Sequence, residues 1–215
     1  MTPRGPSGPS SSPSRRPRPD AALAALLLSV ACATATLPQP GVAERARAAV
    51  SWSGSVRVSV KGQDVRGRSR VLMAFRRPEA VRIEIPGPAG ARLVAVVRDG
   101  RLTAVLPSER AFLESAAGAA DLEALLGVAL TPGELMDVLV GVAPAGLRDY
   151  RAQWGEALPR RVEAVLADGT RLKATVDDAE TGLDLPDSVF EPPPHEGHRR
   201  VDAAEARRLL TGGRP

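Results

Sequence analysis

The sequence predicts a mainly β fold with α, in which a curved antiparallel sheet forms an incomplete β-barrel and helices cover its concave face. Three observations lead there. From Ser51 to about Val176 the chain alternates apolar and polar residues with a period of two, the signature of strands dry on one face only. Asp99-Gly100 and Asp168-Gly169 mark tight two-residue turns, which join antiparallel neighbours. The long crossover helices that a parallel sheet requires are absent, and two short Leu-rich helices fall between the sheet halves instead.

Taken in order, the chain begins with a Pro-, Ser- and Arg-rich stretch too polar to bury a core. Ala21–Ala31 then reads as the apolar centre of a signal peptide, placing the leader at residues 1–31. As a helix it would rise only about 16 Å, roughly half of a bilayer's hydrocarbon thickness, so it does not span a membrane. The single cysteine, Cys32, closes the stretch Leu28-Ser29-Val30-Ala31-Cys32, which resembles a bacterial lipobox, with its large apolar residue one place further out than that pattern has it. That resemblance implies Cys32 as a site of lipid attachment. An ordinary signal-peptidase cut competes, since Ala31-Cys32-Ala33 and Ala33-Thr34-Ala35 both read A-x-A. Residues 32–40 form a tether, 41–202 the folded domain, and 203–215 a tail or short helix.

Within the domain, Gly41–Val50 has helical spacing. Trp52–Lys61 places Trp52, Gly54, Val56, Val58 and Val60 on one face. Val71, Met73 and Phe75 repeat the alternation, as do Val81, Ile83 and Ile85. Pro86-Gly87-Pro88-Ala89-Gly90 then breaks the chain. Ala91–Val97 and Arg101–Leu106, the latter carrying Leu102 and Leu106, flank Asp99-Gly100, and Ala111–Glu114 adds a short strand. Leu122, Leu125 and Leu126 have i, i+3, i+4 spacing, and Leu135, Val138 and Leu139 repeat it. Thr131-Pro132-Gly133-Glu134 opens that second helix as a capping box with Pro at its first position. Strands resume at Tyr150–Trp154, Val162–Leu166 and Leu172–Val176, and Leu183–Phe190 is a last extended piece. Val201–Leu210 has the pattern of a short amphipathic helix.

Composition excludes several functions. Four of the 29 basic residues and one of the 25 acidic ones lie in residues 1–31, leaving 25 basic and 24 acidic residues beyond, so the mature part has no footprint for nucleic acid. One cysteine permits no internal disulfide. His195 and His198 lie three apart in a Pro-rich segment without a third ligand, which reads as solvated tail rather than a zinc site. Asp177, Asp178, Glu180, Asp184 and Asp187 read as a charged turn, without the spacing of a calcium loop. No nucleophile–base pair, phosphate loop or dinucleotide fingerprint stands out, so a non-enzyme without metal or cofactor is expected. What remains is the apolar stripe. With six aromatics in the chain, the sheet is filled by slender aliphatic side chains, which suit either a packed core or an aliphatic ligand. A 16-carbon acyl chain would gain on the order of 10 kcal/mol from burial before binding costs.

The opening strand Trp52–Lys61, the segment Arg82–Gly90, the insert Leu125–Pro132 and the ending Leu185–Pro192 together resemble the LolA/LolB superfamily of envelope lipoprotein carriers and receptors, over about residues 42–202. The resemblance implies a half-barrel whose cavity takes lipid or the acyl chains of lipoproteins. It places Val56, Val58, Met73, Phe75, Ile83, Ile85, Leu102, Leu106, Leu122, Leu125, Leu126, Leu135 and Leu139 around that cavity, and Pro86, Gly87, Pro88, Ala89 and Gly90 in a membrane-facing loop. LolB-type receptors project a leucine from that loop. Ala89 stands there in this chain and offers far less apolar area, which implies a LolB-like outer-membrane lipoprotein rather than a full receptor. Ala33, after the cysteine, lacks the Asp of the retention signal and implies the periplasmic face of the outer membrane. Soluble periplasmic protein is the alternative location, and an envelope interaction module with a filled core and a protein partner is the alternative function.

Overall fold

Each period-two segment becomes a strand, and the strands join into a sheet that stays open. The computed structural model describes residues 38, 40–63 and 65–212, so the leader, Cys32 and most of the tether lie outside the described residues. The strands are β1 (Ser51–Lys61), β2 (Arg66–Arg76), β3 (Ala80–Gly87), β4 (Gly90–Arg98), β5 (Arg101–Leu106), β6 (Ala111–Ala116), β7 (Asp149–Trp154), β8 (Pro159–Val165), β9 (Arg171–Thr181) and β10 (Arg199–Arg200). They line up as β10-β6-β5-β4-β3-β2-β1-β9-β8-β7.

That order corrects the expected incomplete barrel. β10 and β7 are the two edges and no pairing joins them, so the sheet is not closed or strongly curled. It is also mixed, because β10 runs parallel to β6, with Arg199 opposite Ala111. The reason is physical: alternation specifies which face of a strand is dry, whereas closure depends on tilt and shear between strands far apart in sequence. A two-residue strand such as β10 carries no period at all.

Local chemistry explains the joints. Asp99 and Gly100 both take positive φ, 51° and 69°, as a tight hairpin turn with the sheet's own twist demands. β1 pairs with β9 through a register shift at Ser55/Val56. Next to it a Cβ on Gly54 would stand 2.3 Å from the Asp178 carbonyl oxygen, so only glycine admits the close approach. Asp177, Asp178 and Glu180 belong to β9 rather than to a turn, and the Arg57 guanidinium donates to both carboxylate oxygens of Asp177 at 2.9 and 3.0 Å.

Four α-helices are found among the described residues: α1 (Val42–Arg47), α2 (Ala119–Leu126), α3 (Pro132–Leu139) and α4 (Ala203–Leu210). At the start of α3 the Thr131 backbone N–H donates to the Glu134 carboxylate at 2.8 Å, and the Glu134 N–H donates to Thr131 Oγ1 at 3.2 Å. Two backbone donors at the helix start are thereby satisfied. No helix among the described residues is long and apolar enough to cross a membrane.

The two sheet faces pack differently. One carries the main core, from Trp52, which stacks on Phe75 with ring centroids 5.7 Å apart, to Leu102, Leu106 and Leu113. The other carries a small cluster of Ala74, Val94, Val96 and Phe190, with Leu185 and Val189 packed on it. The segment expected to be extended throughout Leu183–Phe190 instead ends in a 3-10 turn, Asp187–Phe190, that drives Phe190 into this cluster.

Candidate functional site

The main core is not filled everywhere. A cavity of about 1220 Å³ lies between α2, α3 and α4 and the facing parts of β1, β2, β3 and β9. This exceeds the roughly 300–1,000 Å³ of ordinary small-molecule sites. The sheet contributes Val56, Val58, Val60, Val71, Met73, Ile83, Ile85, Leu172 and Ala174, and the helices contribute Leu122, Leu125, Leu126, Leu135, Val138 and Leu139.

Of the residues the sequence nominated, Val56, Val58, Met73, Ile83, Ile85, Leu122, Leu125, Leu126, Leu135 and Leu139 stand in this wall. Phe75, Leu102 and Leu106 do not. Phe75 is taken up by its stack on Trp52, and Leu102 and Leu106 are fully enclosed on β5, where the space above the sheet is packed. Alternation puts all three on the same face as the lining residues, yet it is blind to how far the helices stand off that face.

The wall is held at definite points. The Arg77 guanidinium bridges Asp137 of α3 at 2.7 Å and the Ala49 carbonyl at 3.2 Å. The Tyr150 hydroxyl donates to the Val138 carbonyl at 3.0 Å, and burial pushes its pKa well above the ordinary phenol value. These bonds fasten the C-terminal half of α3 to β7 and to the β2–β3 turn.

Sequence reasoning missed the mouth of the cavity, where every charged residue among the described ones is basic: Lys61, Arg66, Arg92, Arg207 and Arg208. Arg92 arrives through a register shift between β3 and β4, where Ile85 faces Leu93 but Pro86 faces Ala91. The extra residue is re-aimed, and its guanidinium donates to the Leu210 carbonyl of α4. α4, expected as tail or short helix, is thus part of the cavity wall. Its fully buried Ala206 sits in the main core. The helical pattern of Val201–Leu210 was the available signal.

The hairpin tip from Pro86 to Gly90 closes tightly, with Gly87 opposite Gly90 and with Pro88 and Ala89 exposed. On the other sheet face, Asp187 is held below the usual carboxylate range by its hydrogen bond from Arg76, then by the charges of Arg76 and Arg98. Asp168 is lowered by hydrogen bonds from Thr170, and Glu163 by its bond from Arg161. The expected solvated tail is corrected as well. His195 packs against Phe112 of β6, with ring centroids 4.6 Å apart, because residues 199–200 pair with that strand. Among the described residues no group of three or more His, Cys, Asp or Glu side chains is placed to hold a metal ion.

No protein-family model matches this chain, and no curated protein matches it. Solved structures do show likeness. A LolA superfamily protein from Nitrosomonas europaea is 13% identical, with 73% of this chain and 99% of that chain covered and a TM-score of 0.42. An uncharacterized conserved protein from Thermus thermophilus is 10% identical, with coverages of 74% and 96% and a TM-score of 0.43. A putative outer membrane lipoprotein-sorting protein domain from Vibrio parahaemolyticus is 7% identical, with coverages of 70% and 94% and a TM-score of 0.38.

Proposed function

We propose that this protein is a non-catalytic lipid-binding protein of the bacterial envelope, which holds acyl chains of a lipid or a lipoprotein between its open sheet and its helices. The observation that carries the reading is the cavity of about 1220 Å³ with an aliphatic wall. An acyl chain gains about 0.8 kcal/mol per buried methylene there. Void space of this size supports the reading over an interaction module with a filled core. In this reading Cys32 is acylated and anchors the domain at the periplasmic face of the outer membrane. Residues 32–40 fully extended reach about 30 Å, which keeps the cavity near the bilayer. The exposed Pro86–Gly90 tip faces the membrane.

Mass spectrometry of the purified protein tests both halves. Co-purified lipid together with a diacylated N-terminal Cys32 is the expected result. Protein that carries no lipid and takes up none on titration overturns the binding reading. A Cys32→Ser variant that stays in the membrane fraction overturns the anchor. A chain cut after Ala33 or Ala35, and so without Cys32, found in the soluble periplasm supports a soluble carrier instead, a reading favoured by the two A-x-A sites.

A further inference from the structure

A helix that walls an apolar cavity normally turns its apolar stripe inward. α4 brings charge there as well: Arg207 and Arg208 line the cavity together with Ala204, Leu210 and Thr211. Across the mouth the bulged Arg92 points to the same place and is tied to the C-terminal end of α4 through the Leu210 carbonyl. No Asp or Glu lines the cavity among the described residues. Among the described residues Arg92, Arg207 and Arg208 enter no ion pair either, although the outer sheet face pairs Arg57, Arg76 and Arg82 with acids. Glu109 and Glu205 line a separate depression with Arg208, and Glu205 is engaged by Arg199 at 2.5 Å. Positive charges gathered at the rim of a low-dielectric pocket favour an anion and focus its approach.

We infer that the cavity selects an amphiphile with an anionic head group, phosphate or carboxylate, whose chain lies among the aliphatic wall while Arg92 and Arg207 hold the head at the mouth. This rests on the acyl-chain reading above and specifies its ligand. Arginine suits the task because its planar fork donates two hydrogen bonds to one carboxylate or phosphate. An uncharged amphiphile of the same chain length would gain the apolar burial without the charge-assisted bonds. Arg208 and the hairpin residues Lys61 and Arg66 add positive potential around the head.

The test is competition against a fluorescent acyl probe on delipidated protein, with palmitate, palmitoyl-lysophosphatidylglycerol, the uncharged monopalmitoylglycerol and inorganic phosphate as competitors. The two anionic amphiphiles are expected to bind about tenfold or more tightly than the uncharged one, a preference that shrinks as salt rises. Arg92→Gln with Arg207→Gln should weaken the anionic amphiphiles more than monopalmitoylglycerol and so abolish the preference, whereas Lys at both positions should retain much of it. Equal affinities for anionic and uncharged amphiphiles overturn the inference while leaving the acyl-chain reading intact. So does a preference that survives the Gln variant or is insensitive to salt in the native protein. Inorganic phosphate binding as tightly as the amphiphiles also overturns it, pointing to a free-phosphate site. If no amphiphile displaces or replaces the probe, the acyl-chain reading itself falls.

Discussion

The two faces of strands β2 to β4 are built from the same kind of residue and end in opposite states. On the outer face Ala74, Val94 and Val96 meet Phe190, fully buried beneath the Arg76 guanidinium, which lies 5.2 Å from its ring centroid. Arg76 also donates to the Leu185 carbonyl at 2.9 Å and Asp187 at 2.6 Å, and Arg82 reaches the Val189 carbonyl at 3.3 Å. The cover is therefore stapled down over a buried cluster. On the inner face Met73, Ile83 and Ile85 look into the cavity. Slender side chains alone thus do not make a void. What differs is the cover: a short irregular segment follows the sheet surface, whereas α2, α3 and α4 are rigid rods fastened at a few points.

This contrast is open to measurement. The largest effect should come from the filled face, where Phe190→Ala leaves a hole and is expected to cost about 3–5 kcal/mol in urea unfolding; a loss below about 1 kcal/mol would show that the cover is loose. Next, Ala74→Leu should overpack the same face and cost about 1–3 kcal/mol. The inner-face counterpart, Val58→Phe, enters free space, so stability should change by less than about 1 kcal/mol while affinity for an acyl probe falls several-fold. Equal destabilisation by these two enlargements would mean that both faces are packed alike. Smaller again, Thr131→Ala removes the cap of α3 and should cost about 1 kcal/mol, with a weakened probe affinity if α3 holds the wall in place.

The smallest effect is a pH dependence. The folded-state pKa of Asp187 is depressed by Arg76 and then Arg98, so its contribution to stability is present above the ordinary carboxylate pKa of about 3.9 and is lost as pH falls through the lower folded value. Urea midpoints for Asp187→Asn and the native protein should differ at pH 6 and converge near pH 2. A constant difference across that range would remove the ion pairs from the account. Asp187 is fully exposed, so solvent screens these pairs and the change is small.

The strands, their dry faces and the α3 cap were legible because period and capping are local properties. Trp52–Lys61 and Thr131–Glu134 say what they form within a few residues. Sheet closure was not legible, since it depends on whether β7 and β10 meet, and nothing in either segment encodes the other. The division of the apolar stripe was hidden for a similar reason. Phe75 and Met73 sit two places apart on one strand, one stacked and one facing space, and the difference lies in Trp52 and α3. Arg92 escaped notice because a bulge, not the alternation, directs it. Asp177 reads as turn charge until Arg57, 120 residues away, is seen beside it.

α4 follows every strand in the chain, and its Leu210 carbonyl closes against Arg92 across 118 residues of sequence. A contact of such separation forms late, because its loop-closure entropy must be met before the contact contributes. Until it forms, the aliphatic wall is an open trough on a partly folded chain, an aggregation hazard and a surface for a chaperone that shields apolar chains. The C-terminal helix can therefore complete the wall only after the strands it closes on are in place.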